Sequence, residues 1–159
     1  MSDEDIRSEP ADDGAFANVS ESGSAAGLGI RTGARLLDAL LIGIPVSILF
    51  GLIGLGPAVS SLLLALLWFG YFVWFETNKG GTFGKQLLGL CVSGQHGGFP
   101  SLEVAAKRNV WMLLGLIPVV GGLLSLVAVI VIMVTIYSDA QNLGYHDTFA
   151  GARVDVKPA

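Results

Sequence analysis

The chain has 159 residues, of which 52% are hydrophobic and only 14% are charged. This composition is too apolar for an ordinary soluble domain, and the length allows one domain, so the chain is predicted to be a membrane protein. The net charge of -4 is concentrated in the first 30 residues, and the remainder is mildly basic. The single cysteine, Cys91, excludes an intramolecular disulfide, a redox pair and a CxxC metal site.

An acidic segment begins the chain. Residues 1–30 contain seven acidic side chains and one basic side chain, Arg7, among many serine, glycine and alanine residues. Such a segment cannot bury enough apolar surface to offset the entropy lost on ordering. We therefore predict a disordered acidic tail over residues 1–28, which either solubilises the chain or docks on a basic partner. It lacks the basic and apolar regions of a cleavable signal peptide, so the first helix must itself direct insertion.

A transmembrane domain is predicted over residues 29–159, and it starts with a region that has no charged residue from position 39 to 75. A bilayer core about 30 Å thick needs roughly 20 helical residues, so this region holds two helices, at about 32–54 and 58–76. The glycine- and proline-containing turn between them makes an antiparallel hairpin, and Pro45 is predicted to kink the first helix. Aromatic residues crowd the second half of the second helix, as is typical of a membrane interface.

The basic residues predict the orientation of this hairpin. No lysine or arginine separates the two helices, whereas two arginines lie at the start of the first helix and four basic residues follow the second: Arg31 and Arg35; Lys79, Lys85, Lys107 and Arg108. Positively charged loops remain in the cytoplasm. The N-terminus and the loop after the second helix are therefore predicted to be cytoplasmic, in a multi-pass protein of the bacterial plasma membrane.

The last hydrophobic region, which is uncharged from position 109 to 138, is too long for a single span. In one arrangement it runs straight through the membrane. In the other it folds back at Pro118 and the glycines that follow, which gives helices at about 102–117 and 122–138.

Two predicted strands favour the folded-back arrangement. Apolar residues alternate with polar or small ones at about 87–93 and 151–156, which is typical of half-buried strands. The strands can pair only if both lie on one side of the membrane. We therefore predict an all-α membrane protein, a small bundle of three to four transmembrane helices with a two-stranded β element at the cytoplasmic face.

Arg35 and Asp38 are charged residues at the start of the first predicted helix. Their three-residue spacing places both on one helix face, where they can form an ion pair. In one interpretation Arg35 reaches the headgroups and Asp38, about one turn deeper, stays paired with it as an anchor. In the other, Asp38 lines a polar cavity where it takes up a proton or a cation, and Arg35 tunes its pKa.

Three motifs resemble those of the RDD family: Arg35-Leu36-Leu37-Asp38, a segment from Gly81 to Leu90, and a segment from Gly144 to Gly151. The resemblance covers residues 30 to 156 and implies a small bacterial integral membrane protein, with ion or solute transport as a suggested activity. It also implies that the arginine and the two aspartates for which the family is named are Arg35, Asp38 and Asp147. Gln86 and Cys91 replace residues that are often basic in the family, which argues against a large anion bound by this loop.

The folded-back arrangement would return Asp147 to the side where Arg35 begins the first helix. One arginine can satisfy two carboxylates through its five donors, so we expect Arg35 to bridge Asp38 and Asp147. Lys85 and Arg108 are predicted to flank this cluster or to contact anionic headgroups. His146 is expected to titrate near neutral pH.

The sequence has no catalytic triad, hydrolase acid pair, metal-ligand cluster or nucleotide-binding motif, so we expect neither an enzyme nor a cofactor. The first functional hypothesis is transport of an ion or small solute through the Arg/Asp cluster, with Asp38 as the ion-sensitive group. Four helices enclose little volume, so the path would form between protomers of a homo-oligomer. The alternative is a non-enzymatic accessory or assembly subunit with a membrane-protein partner. Both hypotheses place the chain in the lipid bilayer, and neither involves nucleic acid.

Overall fold

The structure is a computed structural model that describes residues 24–95, 97–117 and 119–157. Most of the predicted acidic tail and the predicted break at Pro118 lie outside these ranges. The described chain is mostly helical and contains one two-stranded antiparallel sheet. The predicted fold class is confirmed.

Helix α1 spans Leu28–Leu52 and begins earlier than predicted. An α-helical part, Leu28–Asp38, is followed by a π-helical turn, Ala39–Gly43, and by a second α-helical part, Ile44–Leu52. Pro45 has no N–H, and its ring crowds the carbonyl group four residues earlier, so a wider turn in front of it relieves this contact. The distortion predicted at Pro45 takes the form of this π-helical turn.

Residues 24–27 were predicted to belong to the disordered tail, but they lie against the sheet. Ala25 forms a β-bridge with Asp155. The N–H of Ala26 donates to the carbonyl of Val154 at 2.9 Å, and the Ala26 side chain is buried. The predicted tail boundary at residue 28 is therefore too late in the chain, because backbone pairing orders the residues before α1.

Helix α2 spans Pro57–Lys79 and packs against α1 as the predicted hairpin. Pro57 lies in the first turn, where its missing N–H is not needed, and Gly80 ends the helix in the left-handed conformation, with φ of 68°. With helix α5, Gly121–Ser138, these are the three helices of the described ranges that are long and apolar enough to cross a membrane.

The segment between α2 and α5 starts with helix α3, Phe83–Leu87, and strand β1, Leu90–Gly94. The helix predicted at 102–117 is observed as helix α4, Leu102–Asn109, continued by a 3₁₀ segment, Val110–Leu116. A methyl group on Gly115 would meet Ser125 Oγ at 3.3 Å. The 3₁₀ segment therefore lies beside the first turns of α5, and the chain has reversed its direction between them.

Helix α6, Tyr145–Ala150, and strand β2, Ala152–Val156, end the described chain. β1 and β2 pair in antiparallel register from Leu90 opposite Val156 to Gly94 opposite Ala152. This pairing requires α2 and α5 to end on the same side, which only the folded-back arrangement allows.

Both faces of β1 are buried, whereas the sequence predicted a half-buried strand. Leu90 and Val92 pack in an apolar cluster with Ala34 and Val154. Cys91, on the opposite face, is also buried. The alternation of apolar and small residues predicted the strand, but it did not predict that the neighbouring loop would cover its second face.

The spans are apolar on the outside, and much of the interior is polar. Leu52 and Tyr137 are 80% and 81% exposed, as are many other large apolar side chains of the spans to lesser degrees. Such a surface suits lipid rather than water. By contrast, Arg108, Glu76 and Asn109 are among the largest fully buried side chains. The polar interior lies at the end of the bundle that carries the sheet.

Candidate functional site

Five charged side chains from five helices meet at the sheet end of the bundle. Each is at most 6% exposed. We call them the charge cluster: Arg31 of α1, Glu76 of α2, Lys85 of α3, Arg108 of α4 and Asp147 of α6. Buried charges are tolerated only when they are paired and hydrogen-bonded, so the pairing determines how these helices can pack.

Glu76 organises one half of the charge cluster. Its carboxylate accepts hydrogen bonds from Lys85 Nζ, from Arg108 Nη1 at 2.5 Å and from Asn109 Nδ2 at 2.9 Å. Glu76 lies in the last turn of α2, and Arg108 and Asn109 lie at the end of α4. These bonds therefore tie α2 to α4 and hold α3 beside both.

Asp147 organises the other half. Its Oδ1 accepts from Arg108 Nε at 2.6 Å, and its Oδ2 accepts from Arg31 Nη1 at 2.5 Å. The N–H of Gly144 also donates to Oδ2, at 3.2 Å, so Asp147 closes the first turn of α6. Arg108 thus bridges two carboxylates, a role that the sequence had predicted for Arg35.

Burial and pairing change the protonation of the groups that lie outside the spans. Burial acts to raise the pKa of Asp147, but Arg108 and Arg31 hold that pKa well below its usual range. Burial lowers the pKa of Lys85 to about 8, against the opposing effect of Glu76. Burial and the nearby Arg108 lower the pKa of His146 to about 3. Lys85 is therefore mainly cationic at pH 7 and His146 is neutral, contrary to the predicted titration of His146 near neutral pH.

Asp38 lies apart from the charge cluster and binds neutral donors. Its carboxylate accepts from Tyr71 Oη at 2.8 Å, from Thr82 Oγ1 at 2.6 Å and from the N–H of Gly84 at 2.7 Å. We call these four residues the Asp38 latch, because they fasten the start of α3 to α1 and α2. The predicted ion pair between Arg35 and Asp38 is not formed.

The Asp38 latch requires a very close approach of two backbones. A methyl group on Gly84 would overlap the carbonyl oxygen of Ala34 in α1. Thr82 caps α3, with its side chain accepting from the N–H of Lys85, while its hydroxyl donates to Asp38. The loop therefore supplies to Asp38 the hydrogen-bond donors that the sequence had predicted from Arg35.

Arg35 binds aromatic rings instead of a carboxylate. Its guanidinium carbon lies 4.7 Å from the centroid of the Phe72 ring and 5.2 Å from that of Trp111. Such cation–π contacts stabilise a partly desolvated arginine. Within the described ranges Arg35 forms no ion pair, so the predicted bridge from Arg35 to Asp147 is also wrong.

Two cavities meet at Arg35 and Trp111, which line both. The smaller cavity, of about 140 Å³, extends to Lys85, Arg108 and His146. The larger cavity, of about 400 Å³, extends along the spans, where its lining includes Ala39, Ser61, Ala65, Gly115 and Ser125. Arg35 and Trp111 thus lie between a cavity at the sheet end that is lined by several cationic side chains and a larger cavity within the spans.

Sequence reasoning missed Arg31 and Glu76 as members of the site. Arg31 precedes Arg35 by four residues and shares its helix face, but the predicted helix began after it. Glu76 ends the first uncharged region, and this position predicted a helix boundary but not a member of the site. Three predicted site residues, Lys85, Arg108 and Asp147, do meet in the charge cluster.

The fold and the site define the class of this protein. Three helices suited to cross a membrane, with exposed apolar sides and a buried polar cluster at one end, make it a multi-pass membrane protein. Residues 25–151 match the RDD family, and the chain belongs to that family. Searches of curated proteins and of solved structures found no match to it. No group of three or more metal-binding side chains occurs in the described part of the chain.

Proposed function

We propose that this protein transports a small ion or solute across the bacterial plasma membrane, and that the solute meets Arg35 rather than Asp38. The position of Arg35 between two cavities supports this proposal most directly. A charged group within a span is costly unless it is paired or reached by water, and it is therefore a functional candidate. Because Arg35 has no carboxylate partner in the described chain, its N–H donors are available to a polar solute.

The cavities extend from Arg35 toward opposite ends of the bundle. Lys85 and Arg108 lie at the sheet end, whereas Ser61 and Ser125 lie in the first turns of α2 and α5, at the other end. A solute that passes between the cavities must pass Arg35 and Trp111. Their cation–π contact is therefore the proposed barrier of the path.

Asp38 has a supporting part in this proposal. Uptake of a cation by its carboxylate would compete with the three hydrogen bonds that hold α3 in place. These bonds favour a positioning role, in which Asp38 fixes the loop that carries Lys85 to the wall of the smaller cavity.

A non-enzymatic accessory or assembly subunit is the second candidate. It is favoured because Asp38 and Asp147 both bind partners within the fold, which is the arrangement expected of structural groups. For an accessory subunit, Arg35 and the larger cavity would receive a side chain from a membrane-protein partner. A homo-oligomer fits either candidate, and the basic residues at the sheet end favour a cytoplasmic position for that end.

Flux through proteoliposomes tests transport. Wild type, Arg35→Gln and Arg153→Gln would be reconstituted with an internal pH dye and a voltage-sensitive dye, under gradients of sodium, potassium, chloride, phosphate, sulfate and acetate in turn. Arg153 is the matched control because it is an exposed arginine of β2 whose ion pair within the described ranges is with Asp155. Circular dichroism would establish that each variant is folded.

We expect flux in wild type and Arg153→Gln for at least one gradient, and its loss in folded Arg35→Gln. Equal flux in Arg35→Gln would reject Arg35 as the solute-binding group. Folded wild type without flux under any gradient would overturn transport and leave the accessory-subunit candidate, which co-purification from the native membrane would then test.

A further inference from the structure

We infer that the smaller cavity binds a small oxyanion, and we call it the cationic cavity. The inference that an oxyanion binds depends on the cavity alone. The further step that this oxyanion is the transported solute rests on the proposed function. Four cationic side chains line the cavity, and among the described residues no carboxylate does: Arg31, Arg35, Lys85 and Arg108. The two carboxylates of the charge cluster lie behind three of these cations.

The charge balance leaves positive charge at this cavity. Arg31, Lys85 and Arg108 are paired with only two carboxylates, Glu76 and Asp147. Arg35 adds a fourth cation that forms no ion pair within the described ranges. Asp38 carries the third buried carboxylate of the described chain, but its hydrogen-bond partners are neutral donors. A bound anion would neutralise positive charge that the paired carboxylates do not balance.

One donor that is unpaired within the described ranges belongs to a residue that lines the cavity, Trp111. The indole Nε1 of Trp111 is buried and has no hydrogen-bond partner among the described atoms. This group can only donate, so it suits an acceptor such as an oxyanion. Arg35 contacts the same ring, with its guanidinium carbon 5.2 Å from the ring centroid. Positive potential in the cavity also contributes to the lowered pKa of His146, which lines it, since burial and then Arg108 cause that shift.

The size of the cavity limits the anion. At about 140 Å³ it has room for roughly five waters, since each water takes up about 30 Å³. Phosphate, sulfate or a small carboxylate fits this space with part of its hydration, whereas a nucleotide does not. The loss of basic residues at Gln86 and Cys91 does not affect this inference, because neither residue lines the cavity.

The oxyanion has two possible sources. It is either a free ion or the phosphate of a lipid headgroup, whose acyl chain could occupy the larger cavity beyond Arg35. Apolar residues of α5, among them Val129, Ile132 and Met133, form the remaining wall of the cationic cavity and are compatible with both. The shared chemistry is an oxyanion held by Arg35 and its cationic neighbours.

Thermal unfolding of delipidated full-length protein in neutral detergent tests the inference, with circular dichroism as the readout. Sodium phosphate and sodium sulfate would be titrated at constant ionic strength, kept with sodium chloride. In a parallel arm, phosphatidylglycerol or diacylglycerol would be added to the micelles. The variants are Arg35→Gln, Trp111→Phe as a milder change that removes the indole N–H and keeps a smaller aromatic ring, and Arg153→Gln as the control.

A free-ion site predicts that phosphate or sulfate raises the Tm of wild type and Arg153→Gln, with affinity about tenfold or more weaker in Arg35→Gln and less strongly reduced in Trp111→Phe. A headgroup site predicts stabilisation by phosphatidylglycerol but not by diacylglycerol, with the same order of variants. If neither phosphate source stabilises folded wild type, or if Arg35→Gln and Trp111→Phe both respond like wild type, the inference is wrong. Binding without flux would instead reject only transport.

Discussion

The charge cluster and the Asp38 latch lie at the same end of the bundle, yet they neutralise their carboxylates differently. Glu76 and Asp147 are held by lysine and arginine side chains from three helices. Asp38 is held by two hydroxyl groups and one backbone N–H. The difference shows that Asp147 and Asp38 fasten different parts of the chain, the first by ion pairs and the second by hydrogen bonds to neutral donors.

This difference has consequences for stability. Removing one partner from an ion-paired cluster leaves other charges buried and unpaired, which costs more than losing a neutral hydrogen bond. The charge cluster should therefore tolerate substitution least, and it should respond to pH. The Asp38 latch should respond mainly to changes in shape.

The largest effect is expected for Arg108→Gln. Arg108 bridges Glu76 and Asp147, so its loss leaves two carboxylates with fewer partners and should destabilise the fold by about 3–5 kcal/mol. Unfolding in detergent, followed by circular dichroism, measures this. The control is Lys107→Gln, the adjacent residue, whose pair with Glu103 is exposed and should contribute little to stability. Similar losses of stability in both variants would show that the buried cluster is no more sensitive to substitution than the exposed pair.

The second-largest effect is expected from acid, which should destabilise the fold through groups at the charge cluster. The pKa of His146 falls from 6.5 to about 3 on folding, so between these pH values the unfolded chain binds more protons than the folded one. The free energy of unfolding should therefore fall as pH decreases below 6.5, by at most about 1.4 kcal/mol per pH unit. Asp147, whose pKa is also lowered, adds a loss below its ordinary value of 3.8.

The variant His146→Gln isolates the first part of this acid response. It cannot titrate, so its unfolding free energy should change less than that of wild type between pH 6.5 and 4.5. Parallel pH profiles of the two proteins would mean that burial of neutral His146 is not the cause.

The Asp38 latch should be broken by a single methyl group. In Gly84→Ala the new group would overlap the carbonyl oxygen of Ala34, and the shift of the backbone should cost about 1–3 kcal/mol. The control, Gly70→Ala in α2, adds a methyl group with nothing within 4 Å and should be neutral or slightly stabilising. Equal stability of the two variants would show that the loop can move away from α1 without loss.

The smallest expected effect is a coupling energy within the latch. A double-mutant cycle of Asp38→Ala with Tyr71→Phe should give roughly 1 kcal/mol, because the two groups share a hydrogen bond. The cycle of Asp38→Ala with Arg35→Gln should give less than about 0.5 kcal/mol, since no direct bond joins them. A larger coupling energy between Asp38 and Arg35 than between Asp38 and Tyr71 would instead support the ion pair predicted from the sequence.

The arrangement of the spans could be predicted because uncharged length, turn residues and strand alternation act over the whole chain. The α1–α2 hairpin and the pairing of β1 with β2 followed from those patterns, and the pairing selected the folded-back arrangement. The 3₁₀ form of residues 110–116 could not be predicted, since α and 3₁₀ segments share the same apolar composition.

The partners inside the site were less predictable. The three-residue spacing of Arg35 and Asp38 shows that both lie on one helix face, but it does not show which other elements reach that face. Thr82 and Gly84 arrive from a distant loop and bind Asp38, while Phe72 and Trp111 take up Arg35. Competition from residues far along the chain decides pairing in a buried polar cluster.

The position of the charge cluster at one end simplifies how this chain enters a membrane. The two connections at the opposite end, residues 53–56 and 117–120, contain no charged residue. Each pair of apolar segments can therefore insert as a hairpin whose leading tip carries no charge through the hydrocarbon. In the cytoplasmic orientation predicted from the basic residues, all five cluster charges would stay on the side of synthesis, and the cluster would be complete only after both hairpins are in place. In that orientation, biogenesis needs no translocation of a charged loop.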